Sequence, residues 1–387
     1  MNKKLIALGA IVMLFAAGTG VYLLFNGDGD MKGKQYYEYD TTKGWYSWNP
    51  DAFNITSAYV SVTPYLVNVV EEMYENVYGG LPSYQGVSID DIPDDYLAYE
   101  SLVSHNGDGD LLVTSTLRED STSNVHVTRQ IAFTENSTAM ISSSAYVVTL
   151  YYLLCEKYRC TPFGPDDSLA RNELWSIVIG GDSSVYPGIT TNYGIETPDN
   201  HITLPSTYQL INNIEAYTNV VGNVTSNGTN LVFFAGLTAD SADAMSQFYN
   251  VFESNGNAHA VFFFSNGISD VLAAIEVIGA VFGMEDQAHD VIDDMRLKFY
   301  ALHESASQKT NQNGYNYTVY MESVSGKAAG IGTITNDLFE LLCWVNINTS
   351  DQWQMVSEEV IVEKQPEVII FYTTDARSMD EKMRVNV

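Results

Sequence analysis

Short apolar runs alternate with segments of helical periodicity through the second two thirds of the chain. The runs VHVTRQIAF (125–133), LWSIVIGG (174–181), NLVFFAG (230–236) and HAVFFFSNG (259–267) are rich in β-branched and aromatic residues, as strands are. Residues 138–156 have the composition of a well-buried helix. Strands that alternate with helices pair in parallel, because each crossover helix returns the chain to the same end of the sheet. The pattern therefore predicts an α/β fold with parallel sheets.

The segment 285–306 predicts a helix that is longer than the others. Its apolar residues recur at intervals of four and three along one face: Ala288, Ile292, Met295, Phe299 and Leu302. A helix that Ser269 can cap and Gly283 can end precedes it. A second series follows it, with strands over 317–323 and 367–373 and helices over 336–343 and 357–364. The sequence therefore predicts two Rossmann-like lobes joined by one long helix.

The composition excludes several classes of function. The 387 residues include 48 Asp and Glu against 18 Lys and Arg, a formal charge of −30, and such a surface repels nucleic acid. There is no G-x-S-x-G, H-E-x-x-H, C-x-x-C or P-loop motif, and the six His show no metal-ligand spacing. HNGDGD (105–110) resembles a calcium loop, but Leu111 stands where Gly is required, which favours a solvated turn. We expect no catalysis, no cofactor and no bound metal.

Residues 5–25 form an uncharged apolar stretch that would span about 30 Å as a helix, the thickness of one hydrocarbon core. Lys3 and Lys4 precede it, and Asp28 and Asp30 follow it, which predicts that the bulk of the chain lies outside the cytoplasm. The stretch predicts an uncleaved membrane anchor. A cleaved signal peptide is the alternative, because small residues, as a cleavage site requires, lie near the centre of this apolar stretch.

Composition changes along the chain predict an anchor, a linker, an acidic accessory region, a first lobe, a hinge helix and a second lobe: 1–25, 26–50, 51–124, 125–283, 284–307 and 308–387. In the accessory region Pro64 opens a helical pattern, and LLVTSTL (111–117) alternates as a strand does. Six sequons fit an exported glycoprotein: Asn54, Asn136, Asn223, Asn227, Asn316 and Asn348.

Four stretches resemble the substrate-binding proteins of ABC importers for cobalamin and iron–siderophore complexes: NIEAYTNVVGNVTSNGTNLVFFAG (213–236), HAVFFFSNGISDVLAAIEVIGAVFGMEDQAHDVIDDM (259–295), YTVYMESVSGKAAGIGTITNDLFELLCWVNI (317–347) and VSEEVIVEKQPEVII (356–370). In that family two α/β lobes are joined by one long helix, and the ligand lies in the cleft between them. The family usually continues with a further strand and helix beyond the point that corresponds to Val387, which raises the prospect of an incomplete second lobe. Region 35–124 has no family counterpart.

The resemblance implies that ligand contacts lie on the cleft, where strands of an α/β sheet reach their carboxyl ends. Residues at those ends are the predicted ligand contacts: Phe133, Thr134, Glu135, Gly236, Thr238, Phe264, Ser265, Asn266, Met321, Glu322, Gly332, Thr333, Tyr372 and Thr373. Two stretches compete for the family's first ligand loop, QIAFTENS (130–137) and YVSVTPYL (59–66), and the first is preferred because it is nearer Glu215.

In the resembling family one acidic residue on each lobe docks onto the permease, and the matching positions are Glu215 and Glu359. Both are predicted in the first turn of a helix, where an acidic residue also stabilises the helix dipole, and Glu358 could replace Glu359. The resemblance thus implies an extracytoplasmic receptor that delivers a corrinoid, haem or ferric siderophore to an ABC permease and its ATPase. The alternative is a surface adhesion or S-layer-associated structural protein that uses the acidic accessory region for contacts.

Overall fold

The computed structural model describes these residues: 20–25, 37–40, 45–48, 66–118, 126–142, 151, 154, 177–182, 202–204, 210–236, 249–263, 266–322 and 327–373. The strands within them are β1 (Gly20–Phe25), β2 (Tyr37–Asp40), β3 (Trp45–Trp48), β4 (Val103–His105), β5 (Leu111–Arg118), β6 (His126–Phe133), β7 (Ala139–Ser142), β8 (Val178–Asp182), β9 (Ile202–Leu204), β10 (Leu231–Gly236), β11 (Ala258–Phe263), β12 (Thr318–Glu322), β13 (Lys327–Ala329), β14 (Val345–Asn346), β15 (Trp353–Met355) and β16 (Val368–Thr373). The α-helices within them are α1 (Leu66–Tyr78), α2 (Leu210–Thr225), α3 (Ile268–Phe282), α4 (Glu285–Asn313), α5 (Ile334–Leu341) and α6 (Glu358–Lys364).

The first lobe contains a five-stranded sheet in the order β11-β10-β7-β8-β9, and every described pair in it is parallel. In chain order this is 5-4-1-2-3, the arrangement of a doubly wound α/β sheet. Its central strands carry continuous apolar side chains because helices cover both faces of such a sheet. The predicted α/β fold with a parallel sheet is confirmed for this lobe.

The predicted strand over 125–133 does not belong to the parallel sheet, which corrects the sequence analysis. It forms β6, which pairs antiparallel with β5 in a separate sheet of order β4-β5-β6. The first strand of the parallel sheet is instead β7, within the helix predicted over 138–156. All four residues of β7 are buried, and a short run that is apolar on both faces has neither helical nor strand periodicity to distinguish it.

The second lobe has a six-stranded sheet in which β1, β16, β12, β13 and β15 follow one another and β14 also pairs with β12. Strands β12, β14 and β16 are parallel, whereas β1, β13 and β15 run antiparallel to their neighbours. The predicted parallel sheet is therefore mixed in this lobe. A two-stranded antiparallel pair of β2 and β3 lies within the predicted linker.

The last residues of the N-terminal apolar stretch form a strand and not the end of the predicted anchor helix. Residues 20–25 form β1, an edge strand beside β16, and residues 1–19 lie outside the described part of the chain. Among the described helices, none combines the length and apolar character needed to cross a bilayer. Because a run of apolar residues is compatible with a buried strand as well as with a buried helix, composition alone did not distinguish the strand from the helix.

Helices α3 and α4 confirm the predicted pair at the junction of the lobes. Gly283 ends α3 in a left-handed conformation with φ of 67°. Helix α4 has 29 residues and extends beyond the predicted end at residue 306, because its polar tail continues until Gly314, with φ of 76°, ends it. Buried residues of α4, of α1 and of both lobes belong to one continuous apolar core.

Residues 66–118, here called the bracing segment, run along α4 and contact both lobes. Helix α1 confirms the pattern after Pro64, and the hydroxyl of Tyr74 is 2.5 Å from that of Ser305 on α4. Arg296 of α4 donates to the carbonyl of Tyr96 at 3.1 Å. The accessory region is therefore packed onto the lobes through these residues.

Candidate ligand-binding site

The parallel sheet of the first lobe reverses its strand order between β7 and β10. Ligands bind beside such a point, at the carboxyl ends of the strands, because the crossover helices leave on opposite faces and open a crevice. At that end β10 finishes at Gly236 and β11 at Phe263, which are register partners. Gly236 therefore lies at the edge where the sequence predicted it. Thr238, Phe264 and Ser265 lie outside the described residues.

The turn from β11 into α3 contacts the second lobe. The backbone N–H of Ile268 donates to Oδ2 of Asp337 on α5 at 2.9 Å, across 69 residues of sequence. Within the first lobe, Oδ2 of Asp270 accepts from the backbone N–H of Asn266 at 2.8 Å and of Gly267 at 3.1 Å. Asn266, a predicted ligand contact, has a half-buried side chain here. Two carboxylates, one from each lobe, thus hold this turn.

The carboxylate of Asp337 lies in an environment that opposes its charge. Burial raises the pKa of Asp337, the hydrogen bond from Ile268 lowers it, and the neighbouring Glu340 and Asp270 raise it, so that the pKa is about 6. The amino ends of α3 and α5 both lie beside it, and their dipoles favour the ionised form. Sequence analysis selected neither Asp337 nor Asp270, although both stand in first turns of predicted helices.

In the second lobe, β12 and β16 end side by side. Glu322 at the end of β12 is the register partner of Phe371, so Tyr372 and Thr373 extend β16 beyond the end of β12. The hydroxyl of Tyr320 donates to Oε2 of Glu322 at 2.6 Å, which orients that carboxylate. The predicted set Glu322, Tyr372 and Thr373 is therefore brought to one edge.

Two other predicted contacts of this lobe serve its interior. Met321 is fully buried in the core, because it lies on the apolar face of β12, and its assignment as a ligand contact is wrong. Thr333 is also buried, and its hydroxyl donates to the carbonyl of Gly330 at 2.7 Å and accepts from the N–H of Asn336 at 3.3 Å as the N-cap of α5. Gly332 is exposed, with φ of 72°.

The predicted contacts Phe133, Thr134 and Glu135 lie at the amino ends of the parallel strands, opposite to the crevice, which corrects their assignment. Glu135 accepts from the side chain of Asn230, the residue before β10, at 2.9 Å, and Phe133 is buried against the ring of His259 near the start of β11. These contacts belong to the amino ends of the parallel strands. The error follows from β6, whose carboxyl end points away from the crevice because it belongs to the antiparallel sheet.

The two predicted docking residues differ in their helical positions. Helix α2 begins at Leu210, so Glu215 is in its second turn and is exposed, and the predicted first-turn position is wrong. A carboxylate beyond the first turn gains little from the helix dipole, so dipole stabilisation does not account for Glu215. Glu359 is the second residue of α6, in the first turn as predicted.

The acidic loop over 105–110 closes on itself. Oδ1 of Asn106 accepts from the backbone N–H of Asp108 and of Asp110, both at 2.9 Å, which is the geometry of a hairpin turn between β4 and β5. In the part of the chain that the structure describes, no group of three or more His, Cys, Asp or Glu is placed to hold a metal ion.

One predicted glycan acceptor is inaccessible. Asn348 is 3% exposed, and its amide donates to the carbonyl of Ala328 at 3.1 Å, so a glycan on it would require local unfolding. The other acceptors within the described residues are exposed: Asn136, Asn223, Asn227 and Asn316. Asn54 lies outside those residues.

Comparison with known proteins gives a family match in the second part of the chain. Residues 238–386 match the model of the periplasmic binding protein family, a region that includes α3, α4 and the strands and helices of the second lobe from β12 to β16. No curated protein matches the chain.

Three solved structures illustrate what the chain is similar to. A periplasmic haem-binding protein from Pseudomonas aeruginosa shares 11% identity, with 59% of this chain and 69% of that chain covered and a TM-score of 0.40. The periplasmic vitamin B12 binding protein of Vibrio cholerae shares 12%, with 60% and 75% covered and a TM-score of 0.39. A possible iron-binding protein from Staphylococcus epidermidis shares 15%, with 60% and 76% covered and a TM-score of 0.37. The match of residues 238–386 to the periplasmic binding protein family, a family of binding proteins, confirms the resemblance that the sequence motifs indicated.

Proposed function

We propose that the chain is an extracytoplasmic solute receptor that delivers a bulky cobalamin-like or iron-chelate ligand to an ABC permease and its ATPase. The observation that carries the proposal is the match of residues 238–386 to a family of binding proteins. The doubly wound order of the first sheet supports it, because that order opens a crevice beside β10 and β11, where the chain also contacts the second lobe.

Export is part of the proposal. Because β1 takes residues 20–25, the apolar stretch that precedes it covers residues 5–19, which is shorter than the about 20 residues that span a bilayer. We therefore favour the signal-peptide alternative for this stretch over the anchor.

The basic residues favour a near-neutral ligand over a strongly anionic one. On the hinge helix α4, Arg296 is bonded to Tyr96, Lys298 to Asp294 and Lys309 to Tyr78. These bonded cations serve the fold, which leaves few cations within the described residues to neutralise a ferric siderophore. A corrinoid or haem fits this charge distribution better.

The proposed ligand contacts are the predicted residues that remain after those in the core and those at the amino ends of the parallel strands are removed: Gly236, Thr238, Phe264, Ser265, Asn266, Glu322, Gly332, Tyr372 and Thr373. The test is absorbance titration of the purified protein with haemin, cyanocobalamin and a panel of ferric chelates. We expect saturable spectral changes with one class, weakened by Tyr372→Ala and by Asn266→Ala but not by Tyr315→Ala, which changes an exposed tyrosine outside this edge. Absence of saturable binding across the panel would refute the receptor.

We also propose that Glu215 and Glu359 register the receptor on the two-fold permease, one charge on each lobe. The double variant Glu215→Lys with Glu359→Lys should retain ligand binding and lose permease-stimulated ATPase activity. The matched control is Glu285→Lys with Glu363→Lys, which makes the same charge change at exposed helical positions and should retain both activities. Stimulation that survives the first double reversal would show that these residues do not dock.

A further inference from the structure

A hydrogen bond between the lobes lies at the turn that leads from β11 into α3. The first helical N–H groups have no intrahelical acceptor and need another partner. In α3 the N–H of Ile268 donates to the carboxylate of Asp337 on the other lobe. The carboxylate of Asp270, on the same helix, accepts from the N–H groups of Asn266 and Gly267. The first lobe therefore does not complete this turn by itself.

The approach of the two lobes at this turn is close. A Cβ added to Gly267 would lie 2.7 Å from Oδ2 of Asp337, nearer than side-chain carbons approach oxygen. Ile268 is fully buried, so water cannot replace the carboxylate as the acceptor of its N–H. A carboxylate at this point is thus held in place by backbone on one side and by α5 on the other.

We propose that Asp337 is a positioning residue of the candidate ligand site, which fixes the turn over 266–268 relative to the second lobe. The inference rests on the proposed function, because it assumes that this edge of β11 contacts ligand. Glu322, Tyr372 and Thr373 lie on the second lobe and Asn266 on the first, so a ligand that contacts both sets requires them in one register. The Asp337–Ile268 hydrogen bond supplies that register.

The first experiment uses the full chain and compares Asp337→Ala with Asp337→Asn. The alanine variant removes the acceptor, whereas asparagine keeps an oxygen for the N–H of Ile268. With the class of ligand that the wild type binds, haemin or cyanocobalamin, we expect Kd to rise about tenfold for alanine and to stay within about threefold for asparagine. Equal Kd values for alanine and wild type, or equal losses in both variants, would overturn the proposal.

Glu340→Gln is the matched control. Glu340 lies one turn later on α5 and accepts from Asn336 of its own lobe at 2.7 Å, so its charge is removed without loss of an interlobe bond. Its Kd should equal that of the wild type. A loss as large as that of Asp337→Ala would assign the effect to α5 in general and overturn the proposal.

A second readout needs no ligand. Hydrogen exchange of the backbone amides in the peptide over 266–270 should be about tenfold faster in Asp337→Ala and unchanged in Asp337→Asn. Gly267→Ala should also speed it, because the added methyl group displaces an intact Asp337, and this variant serves if Asp337→Ala fails to fold. Unchanged exchange in both perturbed variants would overturn the role of Asp337. Failure of the wild type to bind any probe would instead refute the proposed function and leave the exchange result standing.

Discussion

The hydroxyl of Tyr78, at the end of α1, donates a hydrogen bond of 2.6 Å to the backbone carbonyl of Leu342 in the second lobe. The same hydroxyl is 3.3 Å from that of Thr310 on α4, and Nζ of Lys309 donates to the carbonyl of Tyr78 at 2.7 Å. Burial raises the pKa of Tyr78 to about 12, so the hydroxyl keeps its proton at physiological pH. The bracing segment is thereby joined to the hinge helix and the second lobe at one residue.

Replacement of Tyr78 by Phe should destabilise the protein by about 1 to 2 kcal/mol. The ring and its contact with Tyr74 remain, but the carbonyl of Leu342 loses a partially buried donor. The measurement is the free energy of unfolding from urea denaturation. Tyr300→Phe is the control, since its ring packs against Tyr96 through carbons that Phe retains. Equal stability of Tyr78→Phe and wild type would show that the bond to Leu342 adds nothing.

A second contact of the bracing segment protects the edge of the parallel sheet. Strand β11 is at that edge, and the N–H of Phe262 donates to Oγ of Ser115 on β5 at 2.8 Å, where the hydroxyl also bonds to that of Tyr249. All three residues are buried. A backbone amide of the edge strand is thus bonded to a side chain of the bracing segment.

Ser115→Ala should therefore lower the free energy of unfolding by about 2 to 3 kcal/mol, because it removes a buried hydroxyl that bonds both to the amide of Phe262 and to the hydroxyl of Tyr249. Chemical denaturation of Ser115→Ala and of the control Ser104→Ala measures it. Ser104 lies in the same antiparallel sheet but is exposed, and its replacement should have little effect. A loss of the same size at both positions would contradict the role of the hydroxyl.

Periodicity and glycine predicted the elements that have one clear apolar face or a clear end. The apolar stripe of α4 and the left-handed Gly283 after α3 are local features. Helix α4 begins at the predicted residue, and α3 begins two residues before the prediction that Ser269 caps it. Strands β10, β12 and β16 also lie within the predicted runs. Strand β11 begins one residue before its predicted run and ends within it.

The partners of each strand could not be predicted from the same features. The run over 125–133 looks like any other strand, and only its pairing with β5 shows that its carboxyl end faces away from the crevice. This misplaced Phe133, Thr134 and Glu135. Likewise Asp337 has the sequence context of an acidic residue in the first turn of a helix, and its bond to Ile268 exists only once the two lobes have packed.

Two glycines of the described chain should respond oppositely to alanine. A Cβ at Gly330 would lie 2.1 Å from the carbonyl oxygen of Ser350 and 2.6 Å from that of Gln352, so backbone must move. Gly222 lies inside α2 with nothing within 4 Å of such a Cβ. We expect Gly330→Ala to destabilise by more than about 2 kcal/mol and Gly222→Ala to stabilise by about 0.5 to 1 kcal/mol, measured as the free energy of unfolding. The reverse order would contradict the packing around β13.

The interlobe carboxylate should make stability depend on pH in one direction. Burial raises the pKa of Asp337 to about 6 from an ordinary value near 3.8, so between these values the folded chain binds a proton that the unfolded chain has released. The contribution of Asp337 to stability is therefore greatest below about pH 4 and is lost as the pH rises through 6. The amide side chain of the variant Asp337→Asn cannot ionise, and it keeps an acceptor for the N–H of Ile268.

We expect Asp337→Asn to gain about 1 to 3 kcal/mol in free energy of unfolding relative to the wild type between pH 4 and pH 7. Urea denaturation of both proteins at half-unit intervals of pH measures this difference, in which the titration of the other acidic residues cancels. Glu340→Gln, measured in parallel, removes a neighbouring charge from an exposed side chain and should show a smaller gain. A difference between Asp337→Asn and wild type that is constant with pH, or that falls as the pH rises, would show that the burial of this carboxylate does not oppose its ionisation.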